Sequence, residues 1–85
     1  MPKSVFTDAN SVVVEVLVAA RRAAGLRQQD LAERVGKPQS FISRIEGGQR
    51  RVDVLEFYAI AKAMKADPND LFSAISKRLP KKIEI

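Results

Sequence analysis

The 85-residue chain contains neither cysteine nor histidine. Without cysteine there can be no disulfide, no thiolate nucleophile and no thiolate metal site, so nothing points to an oxidising compartment. Without histidine the usual general base, the usual zinc ligand and any Ser-His or Cys-His nucleophile pair are missing as well. Most hydrolytic chemistry is thereby excluded, and no catalytic set, metal or cofactor is expected. Long apolar runs are also lacking. The longest, Val12 to Ala20, is interrupted by Glu15 and falls far short of the ~20 residues that a membrane-spanning helix needs. The first residues lack the basic-then-apolar order of a signal peptide. These absences point to a cytosolic protein with no membrane partner, and the chain carries no internal repeat and no low-complexity stretch.

What is present fits one folded domain. A chain this short buries only about two-thirds of its unfolded surface, which leaves room for one core and no second lobe. With 46% hydrophobic and 29% charged residues it is too apolar for disorder and too interrupted for a membrane protein. Fifteen Lys and Arg against ten Asp and Glu give a formal charge of +5, which makes an anionic polymer a plausible partner but does not by itself identify one.

The pattern of apolar residues is helical. Thr7 followed by Asp8 reads as an N-cap with an acid in the first turn. From Val12 the residues Val13, Val16, Leu17, Ala20, Ala23 and Ala24 then recur at three- and four-residue steps up to the stop at Gly25. The valines leave a strand over Val12 to Val14 as a competing assignment; the cap and the alanines favour helix. Gln28 to Val35 reads as a short second helix that ends at Gly36. Pro38 suits the first position of a third helix, which runs from Gln39 to Glu46 and closes on Gly47 and Gly48. It carries Ile42 and Ile45 inward, with Gln39, Ser40, Ser43 and Arg44 facing out. After the basic loop Gln49, Arg50 and Arg51, Asp53 and Glu56 form a capping-box-like start for a fourth helix. Asp67, Pro68 and Asp70 repeat that grammar for a fifth helix through Ile75, so the two aspartates are caps rather than a catalytic pair. The resulting division is an N-terminal arm at 1–10, a domain at 11–76 and a basic tail at 77–85 that ends in a short strand or in nothing regular and is a candidate dimerisation element with the fifth helix.

Two short helices joined by a tight glycine-containing turn have the outline of a helix-turn-helix, whose second helix enters the major groove of DNA. Leu31, Ala32, Val35, Ile42 and Ile45 supply its buried face. Ala32 is small where the helices cross, and Gly36 accommodates the backbone of the turn.

Residues 25–36, Gly-Leu-Arg-Gln-Gln-Asp-Leu-Ala-Glu-Arg-Val-Gly, and 38–48, Pro-Gln-Ser-Phe-Ile-Ser-Arg-Ile-Glu-Gly-Gly, resemble the two motif halves of the lambda-repressor-like helix-turn-helix proteins of the Cro and XRE type. The continuation from Arg50 to Phe57 is similar to a common subgroup, and the resemblance spans about residues 12–76. It implies an all-α, five-helix domain with its helix-turn-helix at 28–47, double-stranded DNA as partner, and a homodimer on a palindromic operator.

Residue by residue, the resemblance implies that Gln28 meets a phosphate and braces Gln39. Gln39 would contact adenine through its amide, which offers one donor and one acceptor. Ser40, Ser43 and Arg44 match the other base-facing positions, with Arg44 suited either to guanine or to phosphate. Arg27, Arg50 and Arg51 match backbone-tracking positions, and Arg21 and Glu46 match an ion pair between the first helix and the end of the third. Two residues depart from the pattern. Lys37 stands where many relatives are apolar and points to solvent or phosphate. Phe41 stands where many have a small hydroxyl, and either meets a thymine methyl or covers the neighbouring helix.

The resulting expectation is a sequence-specific transcriptional regulator, most simply a repressor. The alternative from another class is an antitoxin or adaptor whose main partner is a protein, for which an apolar patch beyond the dimer surface would be the sign. An enzyme is a distant third.

Overall fold

The computed structural model describes residues 5–83, with backbone alone for residues 5–8. Five α-helices follow one another: α1 (Val5–Ala23), α2 (Gln28–Val35), α3 (Gln39–Glu46), α4 (Val54–Ala63) and α5 (Pro68–Arg78). There is no strand among the described residues, and the fold is all-α. The Val12 to Val14 segment is helical, because the three- and four-residue spacing that puts Leu17 into the core (3% exposed) outweighs the low helix propensity of valine.

Three boundaries differ from those expected. α1 begins at Val5, so Thr7 lies inside the helix, and residues 5–10 of the expected arm are its first turns. Acids are favoured throughout the first turn of a helix, so Asp8 did not single out Thr7 as the cap. Pro38 is the N-cap of α3, with φ −70° and ψ 157°. Its ring fixes φ but not ψ, so the residue serves either position. α5 runs past Ile75 to Arg78. Lys77 and Arg78, expected in the tail, form its last turn, where cations suit the negative end of the helix. Leu79 leaves the helix because the following Pro80 disfavours helical backbone in the residue before it. Beyond it no strand forms through Ile83, and residues 84 and 85 lie outside the described residues.

Elsewhere the caps match the local sequence. Asp53 accepts the Glu56 N–H at 2.7 Å while Glu56 accepts the Asp53 N–H at 3.1 Å. Asp67 accepts the Asn69 N–H at 2.8 Å, with Pro68 at the first helical position. Gly36 takes the left-handed conformation, φ 72°, which glycine adopts without strain. Its N–H and that of Lys37 bond back to the Glu33 and Ala32 carbonyls, ending α2 and turning the chain into α3.

The core joins Leu17, Leu31, Ala32, Ile42, Ile45, Ile60 and Met64. Of the five apolar residues assigned to the helix-turn-helix face, four are buried and Val35 is half-buried. Ile42 and Ile45 are 1% and 2% exposed; at about 1.5–3 kcal/mol for each buried side chain of this size, they anchor α3. That helix packs on α1 and α2, whereas α4 packs on α2 and α5.

Candidate nucleic-acid interface

α3 is eight residues long, and its helical period divides it cleanly. Ile42 and Ile45 face inward, while Gln39, Ser40, Ser43 and Arg44 are all exposed on the opposite side.

Behind that face runs a continuous chain of hydrogen bonds. It starts at Arg21 of α1, which is 8% exposed. Arg21 Nε donates to Glu46 Oε2 at 2.7 Å, Nη2 to Oε1 at 3.0 Å, and Nη1 to the Leu26 carbonyl at 2.7 Å. The fork therefore binds both carboxylate oxygens at the C-terminal end of α3 and also ties down the loop that enters α2. Glu46 Oε1 accepts a further bond from Gln28 Nε2 at 2.8 Å, and Gln28 Oε1 accepts from Gln39 Nε2 at 3.3 Å.

The orientation of both amides follows from the chemistry. An ionised carboxylate only accepts, so Gln28 must turn its NH₂ to Glu46, which leaves its oxygen for Gln39. Gln39 then presents its own oxygen and one remaining N–H outward. That is the acceptor-plus-donor pair that matches the N6 and N7 edge of adenine.

Two of the basic residues are held by carboxylates. Arg27, at the N-cap of α2, bonds Asp30 through Nε at 3.1 Å and Nη2 at 2.8 Å, and its backbone N–H also donates to Asp30. The Arg27 guanidinium holds the Asp30 carboxyl at about 2, below its usual 3.8. Arg50 is likewise occupied. Its Nη1 and Nη2 each meet a Glu56 carboxylate oxygen at 2.8 Å, Nη1 also donates to the Arg51 carbonyl at 3.0 Å, and its guanidinium stands 4.8 Å from the centre of the Phe41 ring. Arg50 first, helped by the Asp53 N–H, lowers the Glu56 carboxyl to about 2.

Lys37, Arg44 and Arg51 are exposed. The Lys37 ammonium lies 5.5 Å from the Phe41 ring centre, within cation–π range. Phe41 itself is half-buried against the core cluster, covering its neighbours and supporting two cations.

Local patterns could have disclosed Asp30 as the partner of Arg27, since the two are three residues apart at a helix start. Glu56 as the partner of Arg50 and Glu46 as the acceptor for Gln28 were not readable. Each pair crosses a turn, and only the packed fold brings its members together.

The family model described as helix-turn-helix matches residues 17–71. No curated protein sequence matches the chain. Among solved structures, an XRE-family-like protein from Pseudomonas syringae pv. tomato is 38% identical, with a TM-score of 0.79 over 86% of this chain and 89% of its own. The restriction-modification controller protein C.AhdI from Aeromonas hydrophila is 30% identical, with a TM-score of 0.71 over 78% of this chain and 96% of its own. The controller protein C.Esp1396I, solved as a tetramer with its natural 35 base-pair operator, is 25% identical, with a TM-score of 0.75 over 84% of this chain and 93% of its own. The matched span takes in the whole α2–turn–α3 unit and the network behind it, and the chain belongs to the lambda-repressor-like, Cro and XRE-type family of helix-turn-helix DNA-binding proteins.

Proposed function

We propose that this protein is a cytoplasmic, non-enzymatic transcriptional regulator that binds double-stranded DNA in a sequence-specific manner as a homodimer, acting as a repressor at a palindromic operator. The observation that carries this reading is the placement of Gln39. It opens an exposed helix face, and the Gln28, Glu46 and Arg21 chain behind it fixes which of its atoms point outward. A side chain whose rotamer and amide orientation are set before binding loses little entropy on contact, which favours base readout over loose phosphate contact.

Gln39, Ser40, Ser43 and Arg44 are assigned to the base edges, with Phe41 as their support rather than a reader. Gln28, Lys37 and Arg51 are assigned to the backbone, with Arg27 available there once its exposed pair with Asp30 exchanges. The likeness to a controller protein solved on its operator supports the DNA assignment.

The homodimer is supported by the other side of the molecule. Val54 (81% exposed), Leu55 (79%), Tyr58 (55%) and Phe72 (56%) are the exposed large apolar side chains of the described residues. Val54, Tyr58 and Phe72 line one groove with Val13, Val52, Phe57 and Leu79. Such a patch on a chain this small calls for a partner surface, and a second copy satisfies it by two-fold symmetry. The same face would serve an adaptor role, and sedimentation of the purified chain distinguishes the two: a dimer without added protein supports the regulator.

Selection of bound sequences from a random DNA pool tests the whole reading. The expected result is a two-fold symmetric motif whose half-sites lie about one helical turn, roughly 34 Å, apart. Recovery of no enriched motif would overturn it.

A further inference from the structure

α3, which presents the proposed reading face, and α4, which presents the proposed dimer face, both pack on α2 but differ in their second neighbour, α1 for α3 and α5 for α4. Between them runs the connection 47–53, which contains two glycines, one of them at φ 77°. Across that connection the side chains form a bridge. The Phe41 ring belongs to α3. Arg50 lies over it at 4.8 Å and grips Glu56 with two 2.8 Å bonds. Glu56 is fastened to the first turn of α4 through its reciprocal bonds with Asp53. Val54 and Leu55, the most exposed apolar residues, sit in that same turn.

We propose that Glu56, acting through Arg50 and the Phe41 ring, is a positioning residue that fixes the recognition helix relative to the dimer face, and thereby sets which half-site spacing the dimer accepts. This rests on the homodimer reading given above. In a two-fold dimer each recognition helix is carried at the end of a rigid arm that starts at the dimer face, so any slack between α4 and α3 becomes slack in the distance between the two helices. Arg50 is then a structural hinge pin rather than a phosphate ligand. Its guanidinium fork is filled by a carboxylate, and the planar group that stacks on Phe41 is one that lysine cannot replace.

The test measures affinity for a series of duplexes in which two fixed half-sites are separated by the preferred spacing or by one base pair more or fewer. Glu56→Gln keeps the size of the side chain and an oxygen for the Asp53 N–H but loses the bidentate pair; Arg50→Lys keeps the charge but loses the fork and the stack. For both variants the ratio of affinities between the preferred and the altered spacings should fall roughly three- to fivefold, the scale of a partly exposed ion pair.

Base preference within a half-site should stay as in the unmodified chain for Glu56→Gln. Its affinity for non-specific duplex should not fall, because the substitution removes a negative charge. Arg50→Lys should keep the salt dependence of binding. If the unmodified chain prefers one spacing and both variants keep that preference in full, the proposal is overturned while the dimer reading stands. If the unmodified chain shows no spacing preference, the dimer reading fails and takes the proposal with it. A lower salt slope in Arg50→Met, by about 0.9 for each phosphate no longer neutralised, would return Arg50 to the phosphates and overturn the hinge-pin role.

Discussion

Two regions of this small domain handle their exposed groups in opposite ways. Behind the reading face every polar atom of the Arg21, Glu46, Gln28 and Gln39 series that faces inward is bonded within the chain, and no buried side-chain nitrogen or oxygen among the described residues lacks a partner. In the α4–α5 groove three large apolar side chains, Val54, Tyr58 and Phe72, stand more than half exposed. The first region is finished before any ligand arrives, whereas the second is finished only by association. The difference teaches where each kind of specificity resides. In the proposed reading, base choice rests on preset hydrogen bonds within one chain, and operator geometry on the meeting of two chains.

The largest effect should come from disabling the unfinished region. Val54→Asp places a carboxylate in the apolar groove while leaving the core untouched, since Val54 lines the groove and is 81% exposed. Sedimentation should show a monomer. Operator affinity should fall about 10²- to 10⁴-fold, the avidity that joining two modules confers. A dimer that survives this substitution would move the interface elsewhere.

Next in size is a break in the finished region. The Arg21 and Glu46 side chains are each 10% exposed, so Glu46→Ala strands a buried guanidinium and should cost about 3–5 kcal/mol. In a domain of this length each kcal/mol lowers Tm by about 4–8 °C. Thermal unfolding that leaves Tm in place would show that Arg21 finds water or another acceptor.

How much of this was legible beforehand follows the same division. The helix-turn-helix could be read because its signals are local: Gly36 where the turn needs positive φ, Ile42 and Ile45 three residues apart, and caps at Asp53 and Asp67 that bond backbone within three residues. The exposed side of α3 emerged from the same period. The commitment of Arg50 did not. Its sequence context, a basic loop after a glycine pair, suggests a phosphate ligand, and its partners in the free chain, Glu56 and Phe41, arrive from two different helices. The start of α1 was misjudged for a related reason, since the preference for acids is spread over a whole turn and marks a helix start only to within a few residues.

A smaller effect is expected at the tip of the preset chain. Gln39→Ala removes one base-reading amide per half-site and should reduce discrimination at that base pair by roughly 1–3 kcal/mol, with little change in salt dependence. Competition titrations with single-base variants of the selected operator measure this directly. A preference that is intact in the variant would transfer readout to Arg44 or the serines. Gln28→Ala sharpens the comparison. It leaves Gln39 in place but unbraced, so it should weaken the same base preference without shifting it to another position.

The smallest effect should appear at Arg51, which is exposed in the connection after α3. A cation on a phosphate adds affinity without sequence information, because every duplex carries the same backbone charge and gives up the same counterions. Arg51→Ala should therefore weaken selected and random duplexes by the same factor. The slope of log affinity against log salt should become shallower by about 0.9 for each phosphate that Arg51 neutralises, or about 1.8 for a symmetric dimer. The base preference assigned to Gln39 should remain. Arg50 and Arg51 are adjacent and carry the same charge, so measuring both separates the effect of the Glu56 pair from that of charge alone. Net charge falls equally in Arg50→Met and Arg51→Ala. If the Glu56 carboxylate already neutralises Arg50, only the Arg51 variant should flatten the salt slope. Equal slopes in the two variants would mean that the Arg50 pair opens on DNA, and that the bridge from α3 to α4 is exchanged for a phosphate during binding.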